Sequence, residues 1–369
     1  MTQEYKQLLE LVKAGMWKDY MPAVAVFEGC DWNKVLEHAK VQAVVGVAFC
    51  GVTKLNPASD LGATLGMNEM LYLKWLGLAA KIAQKYQLHV RVREKVHKLL
   101  MSEGIDHVWM KGLMCGERYA DPSTRTCGDI DFLVHKKDFE KTLDALEKIG
   151  EVDRTIVHEH HGMAHVDGVQ LEPHYKLHNF QNAKNDRTMV RLSEEWLFKD
   201  VRMPLEFEGM FLISHMVNHV YEEGLGLRQV VDFATFLHKV NETDGFDWDR
   251  MHGMLKEMRM WKAYRLFVIL CSKYLEVQLE NVKFESTRHE QRLADKLMED
   301  IMIVGNFGRG AYIFNHTSRW NEFRNYLWVL RRAWKMRFLC SSEAICWPFA
   351  KLKRWAKKKK AKGGIILER

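Results

Sequence analysis

Two aspartates two residues apart in the apolar run Gly128-Asp129-Ile130-Asp131-Phe132-Leu133-Val134 constrain this chain more than any other feature. Ile130, Phe132, Leu133 and Val134 read as buried strand, and successive strand side chains alternate between faces. Asp129 and Asp131 therefore point the same way, with Cα atoms about 6.6–6.8 Å apart at about 3.3–3.4 Å per residue. Two like charges side by side in a buried strand are costly without a counter-ion. A divalent cation shared between them, or two metals about 3.5–4 Å apart, removes that cost. Clustered carboxylates suit Mg2+.

Cations flank the acidic strand. Val108-Trp109-Met110 reads as a strand that ends in Lys111-Gly112 and leads into a helix start, where anions bind favourably. Gly112 lets backbone approach a phosphate. Arg125 lies in the loop Asp121-Pro122-Ser123-Thr124-Arg125-Thr126-Cys127-Gly128. It is placed to clamp a phosphate with two hydrogen bonds or to pair with the aspartates.

This set resembles the polymerase-β-like nucleotidyltransferase superfamily and looks closest to its uncharacterised nucleotidyltransferase group. There a strand ends in Lys-Gly, a short helix follows (here Leu113 to Tyr119), and an Arg precedes Asp-x-Asp on the next strand. Other branches open this motif with Gly-Ser, where this chain has Lys-Gly. The resemblance covers roughly residues 95–240 and implies a third carboxylate on a later strand. Glu172 in Leu171-Glu172-Pro173-His174-Tyr175 fills that place, with His174 two residues on. Pro173 lacks a strand donor, so this segment is expected at an edge or a strand end. The resemblance also matches His219, Arg228 and Asp232 on two later helices. It implies catalysis and metal binding by Asp129, Asp131 and Glu172, and nucleotide contact by Lys111, Gly112, Arg125, Gly128, His174 and Arg228.

The implied fold is α+β: a small mixed-sheet palm flanked by helical N- and C-terminal segments. Periodicity divides the chain into a helical region over 1–104, the palm over 105–191, a helical domain over 192–340 and a basic amphipathic tail over 341–369. Asp31 is expected to cap a helix reaching about Ala48, and a long helix runs from Asn68 to about Met101, with Leu71, Leu76, Leu78, Ile82 and Val90 as its apolar stripe. Strands are expected at His107–Met110, Cys127–Val134, Thr155–His158, Met163–Val166 and Val169–Tyr175, with a helix at Lys136–Ile149. Helices follow at Pro204–Glu223, Leu227–Val240, Asp247–Glu257, Trp261–Leu275, His289–Val304 and Arg319–Phe338.

Charge is unevenly spread. The net charge is +7, yet residues 351–362 hold eight Lys or Arg and no acid, which leaves the rest near −1. Such a body disfavours long nucleic acid as a partner. Trp, Phe and Leu interleave with Arg and Lys from Trp320 through Trp355, including Trp334, Trp347 and Phe349. This pattern fits an anionic membrane surface or an acidic partner, against an ordinary packed helix with a solubilising tail. Seven scattered cysteines without a C-x-x-C pair fit reduced thiols, and no apolar run is long enough to span a membrane. The expected location is the cytoplasm, including its membrane periphery.

The histidines His158, His160, His161 and His165 read as a polar strand face near the site rather than a zinc centre. His215 and His219 share a helix face with Glu222 or Glu223, and Arg228 and Asp232 stand at i, i+4 as a helix ion pair or a nucleotide contact. The expected activity is Mg2+-dependent transfer of a nucleoside monophosphate from an NTP to an unidentified acceptor, at a two-metal site where Mn2+ substitutes. The rivals are a catalytically inactive nucleotide-binding or membrane-surface adaptor on the same fold, and a metal-dependent phosphohydrolase using His158, His160 and His215.

Overall fold

The computed structural model describes residues 1–55, 66–154, 160–280, 285–310 and 319–364. Four helices come first: α1 (Gln3–Met16), α2 (Trp32–Val41), α3 (Val45–Leu55) and α4 (Glu69–Ser102). The sheet region follows with β1 (His107–Trp109), α5 (Gly112–Gly116), β2 (Ile130–Val134), α6 (Phe139–Glu147), β3 (Glu151–Asp153), β4 (Met163–Val166) and β5 (Val169–His174). Helices complete the fold: α7 (Ala183–Trp196), α8 (Leu205–Glu222), α9 (Leu227–Asn241), α10 (Trp248–Glu257), α11 (Trp261–Leu275), α12 (Arg288–Val304), α13 (Arg319–Lys335) and α14 (Ser341–Gly364).

The α+β class holds, with a mixed sheet ordered β1-β2-β5-β4-β3. Only the β2–β5 pair is parallel, in the register Asp131 to Glu172; the other pairs are antiparallel. Strand alternation sorts residues between two cores. Ile130, Phe132 and Val134 join Trp109, Leu171 and the C-terminal half of α4. Val108 and Leu133 face the opposite way, into the larger helical core. Asp131 shares the parity of Leu133, so strand geometry alone turns it toward the helices.

Asp31 caps α2 by accepting from Lys34 N, but that helix stops at Val41. Ala43 takes φ +55°, and the chain restarts as α3. α1 and α3 cross closely: a Cβ on Gly15 would stand 1.9 Å from Val47 O, and one on Gly51 would stand 2.2 Å from Leu11 O. α4 is about 51 Å long at 1.5 Å per residue and bridges both cores. Its buried stripe is Leu71, Trp75, Tyr86, His89, Val92, Val96 and Leu100; Leu76, expected inside, is 42% exposed.

Helices α1–α3 share one hydrophobic core with α8–α12, so the 1–104 and 192–340 segments do not pack as separate units. α7 crosses the 191/192 boundary, and its polar N-terminal half is why it went unread. The Thr155–His158 strand lies outside the described residues; β3, which was not expected, precedes that segment. β5 is interior, so Pro173 sits near the end of a central strand and not at an edge. Among the described residues no helix is long and apolar enough to cross a membrane.

Candidate active site

The open face of β2 and β5 lies against α8 and α9, and a forked cavity separates them. One chamber, about 430 Å³, is lined by Lys111, Gly112, Gly128, Asp129, Asp131, Glu172, Arg228 and Phe307 among others. The second, about 370 Å³, is lined by His174, His178, Asn179, Gln181 and Asn218. Lys111, His160, Glu172, His215, His219 and Glu222 border both.

Asp131 is the buried centre, at 2% exposure. Its Oδ1 is 3.0 Å from Lys111 Nζ and 3.1 Å from His174 Nε2. Burial opposes its charge, but the Lys111 ammonium and His174 outweigh that and hold Asp131 well below the ordinary carboxylate range. The parallel register sets Glu172 beside it. Gln170 Nε2 donates to Glu172 Oε1 at 2.9 Å, and Glu172 Oε2 is 3.7 Å from His174 Nε2. One ligand atom each from Asp131, Glu172 and His174 lie within 4.8 Å of one another.

Asp129 precedes β2 instead of lying within it, and is half-buried on the same chamber wall. The Asp131 charge first, and burial second, raise its pKa to about 6. An acid shifted in this direction lacks positive charge. Lys111 moves the opposite way: burial disfavours its ammonium, but Asp131, Asp129 and Glu172 together raise its pKa. Lys111 also adopts φ +27°, a region costly for a side-chain-bearing residue, and Gly112 follows at φ +46°. This backbone turns the ammonium onto Asp131. α5 is only five residues long, so the helix-start anion site expected after Lys111 does not form to any extent.

The two arginines differ in what they pair with. Arg125 does not pair with Asp129 or Asp131. Its Nε and Nη2 donate to Asp232 Oδ1 and Oδ2, both at 2.7 Å, while Tyr119 Oη donates to Asp232 Oδ1 at 2.7 Å. The pair is nearly sealed, with side chains 5% and 6% exposed, and it fastens the segment before β2 to α9. The expected i, i+4 ion pair of Arg228 with Asp232 is replaced accordingly. Arg228 Nη1 donates to Thr126 O at 3.1 Å, and the guanidinium lies 5.8 Å from the Phe307 ring centroid. Burial lowers its pKa, and no carboxylate hydrogen-bonds to it among the described contacts. Arg228, not Arg125, is the guanidinium the chamber offers to an anion.

Gly128 borders the first chamber, where its carbonyl accepts from Lys85 Nζ at 3.3 Å. α8 carries His215, Asn218, His219 and Glu222 at i, i+3, i+4, i+7, a polar stripe on an otherwise apolar helix that spacing could have revealed. His215 and His219 touch through Nε2 at 3.0 Å, so one donates to the other. Burial holds His178, His215 and His219 neutral, with His219 down at about 3. His160 and His161 reach the site from the end of the histidine run, and with His174 they form a second group whose nitrogens lie within 4.8 Å. His158 lies outside the described residues. His178, Asn179, Gln181 and Asn218 went unread in the sequence, as did Phe307.

A family model for uncharacterised nucleotidyltransferases matches residues 28–276, well over half of the chain. The chain belongs to that family. The match reaches beyond the sheet region into α2 and α3 on one side and α11 on the other, consistent with the single core these helices share. No curated protein and no solved structure matches. Family membership supports a general role in nucleotidyl transfer.

Proposed function

We propose that this member of the family moves a nucleoside monophosphate from an NTP to an acceptor hydroxyl or phosphate and releases pyrophosphate. The observation that carries this reading is the β2–β5 register, which sets Asp131 beside Glu172 at the floor of a chamber that also offers Lys111 and Arg228. Asp129, Asp131 and Glu172 would hold Mg2+, with Mn2+ as a substitute. These hard oxygen donors fit such an ion, and the raised pKa of Asp129 marks a site short of positive charge. When bound, the metal neutralises phosphate charge and favours in-line attack.

In the reaction, the acceptor oxygen bonds to the α-phosphorus. The bond from that phosphorus to the oxygen bridging the β-phosphate breaks, and pyrophosphate leaves with its electron pair. The acceptor proton passes to the carboxylates lining the chamber. Lys111 and Arg228 hold the triphosphate, with Gly112 and Gly128 leaving room along it. The acceptor occupies the second chamber. There the neutral imidazoles of His178, His215 and His219 and the amides of Asn179, Gln181 and Asn218 offer hydrogen bonds suited to a small hydroxyl-rich compound, and Glu172 and Glu222 on the same wall disfavour a polyanion.

Incubation with each labelled NTP and Mg2+, followed by mass spectrometry of every species that gains a nucleotide, tests this reading and identifies the acceptor. One observation favours a second reading: the imidazoles of His161 and His174 lie 3.8 and 3.7 Å from Glu172, and His160 groups with both. They suit a metal-dependent phosphohydrolase, which Mn2+ or Zn2+ turnover of phosphate esters without NTP would reveal.

A further inference from the structure

The hairpin formed by α13 and α14 is bolted to the body by its inner face. Arg332 and Asp300, each 4% exposed on the side chain, pair at 2.8 Å. Tyr221 Oη donates to Met336 O at 3.0 Å. Glu343, fully buried, accepts from the backbone N–H of Gln181 and Asn182 and from Asn185 Nδ2. Trp347, expected in the interaction surface, belongs instead to the core at 1% exposure.

The outer face is the reverse of this. On α13, Trp320, Phe323 and Trp334 are 66%, 47% and 70% exposed, and half-buried Leu327 and Leu330 lie between them. Spacings of 3, 7, 10 and 14 residues from Trp320 place all five within about 80° of the helix circumference at 3.6 residues per turn. On α14, Ile345, Phe349 and Leu352 form a similar stripe at i, i+4, i+7, at 66%, 69% and 43% exposure. Because both helices are fixed by their inner faces, both stripes look away from the body.

Charge identifies what covers them. The hairpin, residues 319–364, holds fourteen Lys or Arg and two acids, Glu322 and the buried Glu343. Arg337 lies over the Trp334 ring at 4.0 Å, which puts a cation at the edge of the stripe. Such positive density repels a second copy of the chain. Ile345 and Leu352 offer nothing to a polynucleotide but bury readily among acyl chains.

We propose that the outer face of the α13–α14 hairpin docks on an anionic lipid surface, with Trp320, Phe323, Trp334, Ile345, Phe349 and Leu352 entering the interface and the net positive charge of the hairpin sequence drawing it to the headgroups. This attachment is peripheral and independent of the chemistry in the chamber.

The test is co-sedimentation of the full chain with vesicles of equal parts phosphatidylglycerol and phosphatidylcholine, and with phosphatidylcholine alone. The double variant Trp334→Gln, Phe349→Gln changes only exposed side chains, and its thermal unfolding checks that the fold is intact. The chain should pellet with the anionic vesicles, stay in the supernatant with the neutral ones, and be released at about 1 M salt, where the Debye length is about 3 Å. The double variant should partition roughly 10-fold less. A chain that stays in the supernatant with anionic vesicles at low salt overturns the proposal. So does a double variant that binds like the unaltered chain, or uptake by a polynucleotide in preference to the vesicles.

Discussion

Asp131 and Glu172 are register partners on adjacent parallel strands, although 40 residues of chain containing a helix and two other strands separate them. A one-residue slip in the β2–β5 pairing would turn one of the two toward the opposite face. The carboxylate pair is therefore a product of sheet register, and register is held by the apolar residues Ile130, Phe132 and Leu171 on the other face.

Removing a carboxylate from this cluster has opposite effects at two positions. The sequence pattern alone suggests that losing any acid relieves repulsion, Asp131 and Glu172 included. The structure redirects that relief to Asp129. Asp131 is paired with Lys111 and His174, so Asp131→Ala leaves buried cations uncompensated and should lower stability. Asp129→Asn should raise the unfolding free energy without metal by about 1 kcal/mol at neutral pH. The folded pKa of Asp129 is raised, to about 6, so the folded state binds its proton more tightly than the unfolded chain does. Its penalty is absent below the unfolded pKa and develops as pH rises from about 4 to about 6. Thermal unfolding of both variants over that window checks the sign.

The three buried imidazoles should make the protein acid-sensitive. His178, His215 and His219 all have folded pKa values below the ordinary histidine value, chiefly through burial, with Lys111 and other neighbouring cationic or imidazole groups adding to it. The unfolded chain therefore binds protons that the folded chain refuses as pH falls below about 6.5. Stability from this source is full above about 6.5 and falls with pH, by at most about 4 kcal/mol per pH unit for three sites. His219→Asn, which stays neutral, should flatten the slope in urea titrations between about pH 6.5 and 5.

Arg125 should behave as a structural residue. Arg125→Ala leaves Asp232 buried without its bidentate partner and should cost about 3–5 kcal/mol. Arg125→Met combined with Asp232→Leu should recover much of that loss, since it removes both charges at once. Denaturant titration of the single and double variants separates this role from that of a phosphate clamp, which predicts lost nucleotide affinity at unchanged stability.

Arg228 is the contrasting case. It donates to a carbonyl and carries no buried carboxylate with it, so Arg228→Ala should leave stability within about 1 kcal/mol. Its kcat/KM for the NTP should fall roughly 10- to 100-fold. Steady-state kinetics and unfolding on the same preparation decide between a binding and a structural role.

The difference between these two arginines shows what a sequence conveys. Asp131 was legible because strand parity is a local property, Asp129 as its neighbour in the same short run, and Glu172 only through the family resemblance. Lys111 was legible as a cation beside them, from the end of a strand two positions past Trp109. The partner of Arg125 was not, because it depends on where α9 packs, 107 residues further on. Trp347 looked like an interface aromatic, and only the burial of neighbouring Glu343 against Gln181 and Asn182 draws it into the core. The second chamber is assembled from the loop after β5 and one face of α8. Neither segment carries a spacing that reports the other, although the polar stripe of α8 alone gave half of it.

The most direct measurement of the central claim is transfer of label from an NTP labelled at its α-phosphorus, in Mg2+, by the unaltered chain and by Asp131→Asn and Glu172→Gln. The unaltered chain should yield a covalently labelled acceptor and one pyrophosphate per label. Each variant, held at a temperature where it remains folded, should lose at least about 100-fold in rate. Transfer by Glu172→Gln at the unaltered rate, or no labelled acceptor with any NTP in Mg2+ or Mn2+, would contradict that claim.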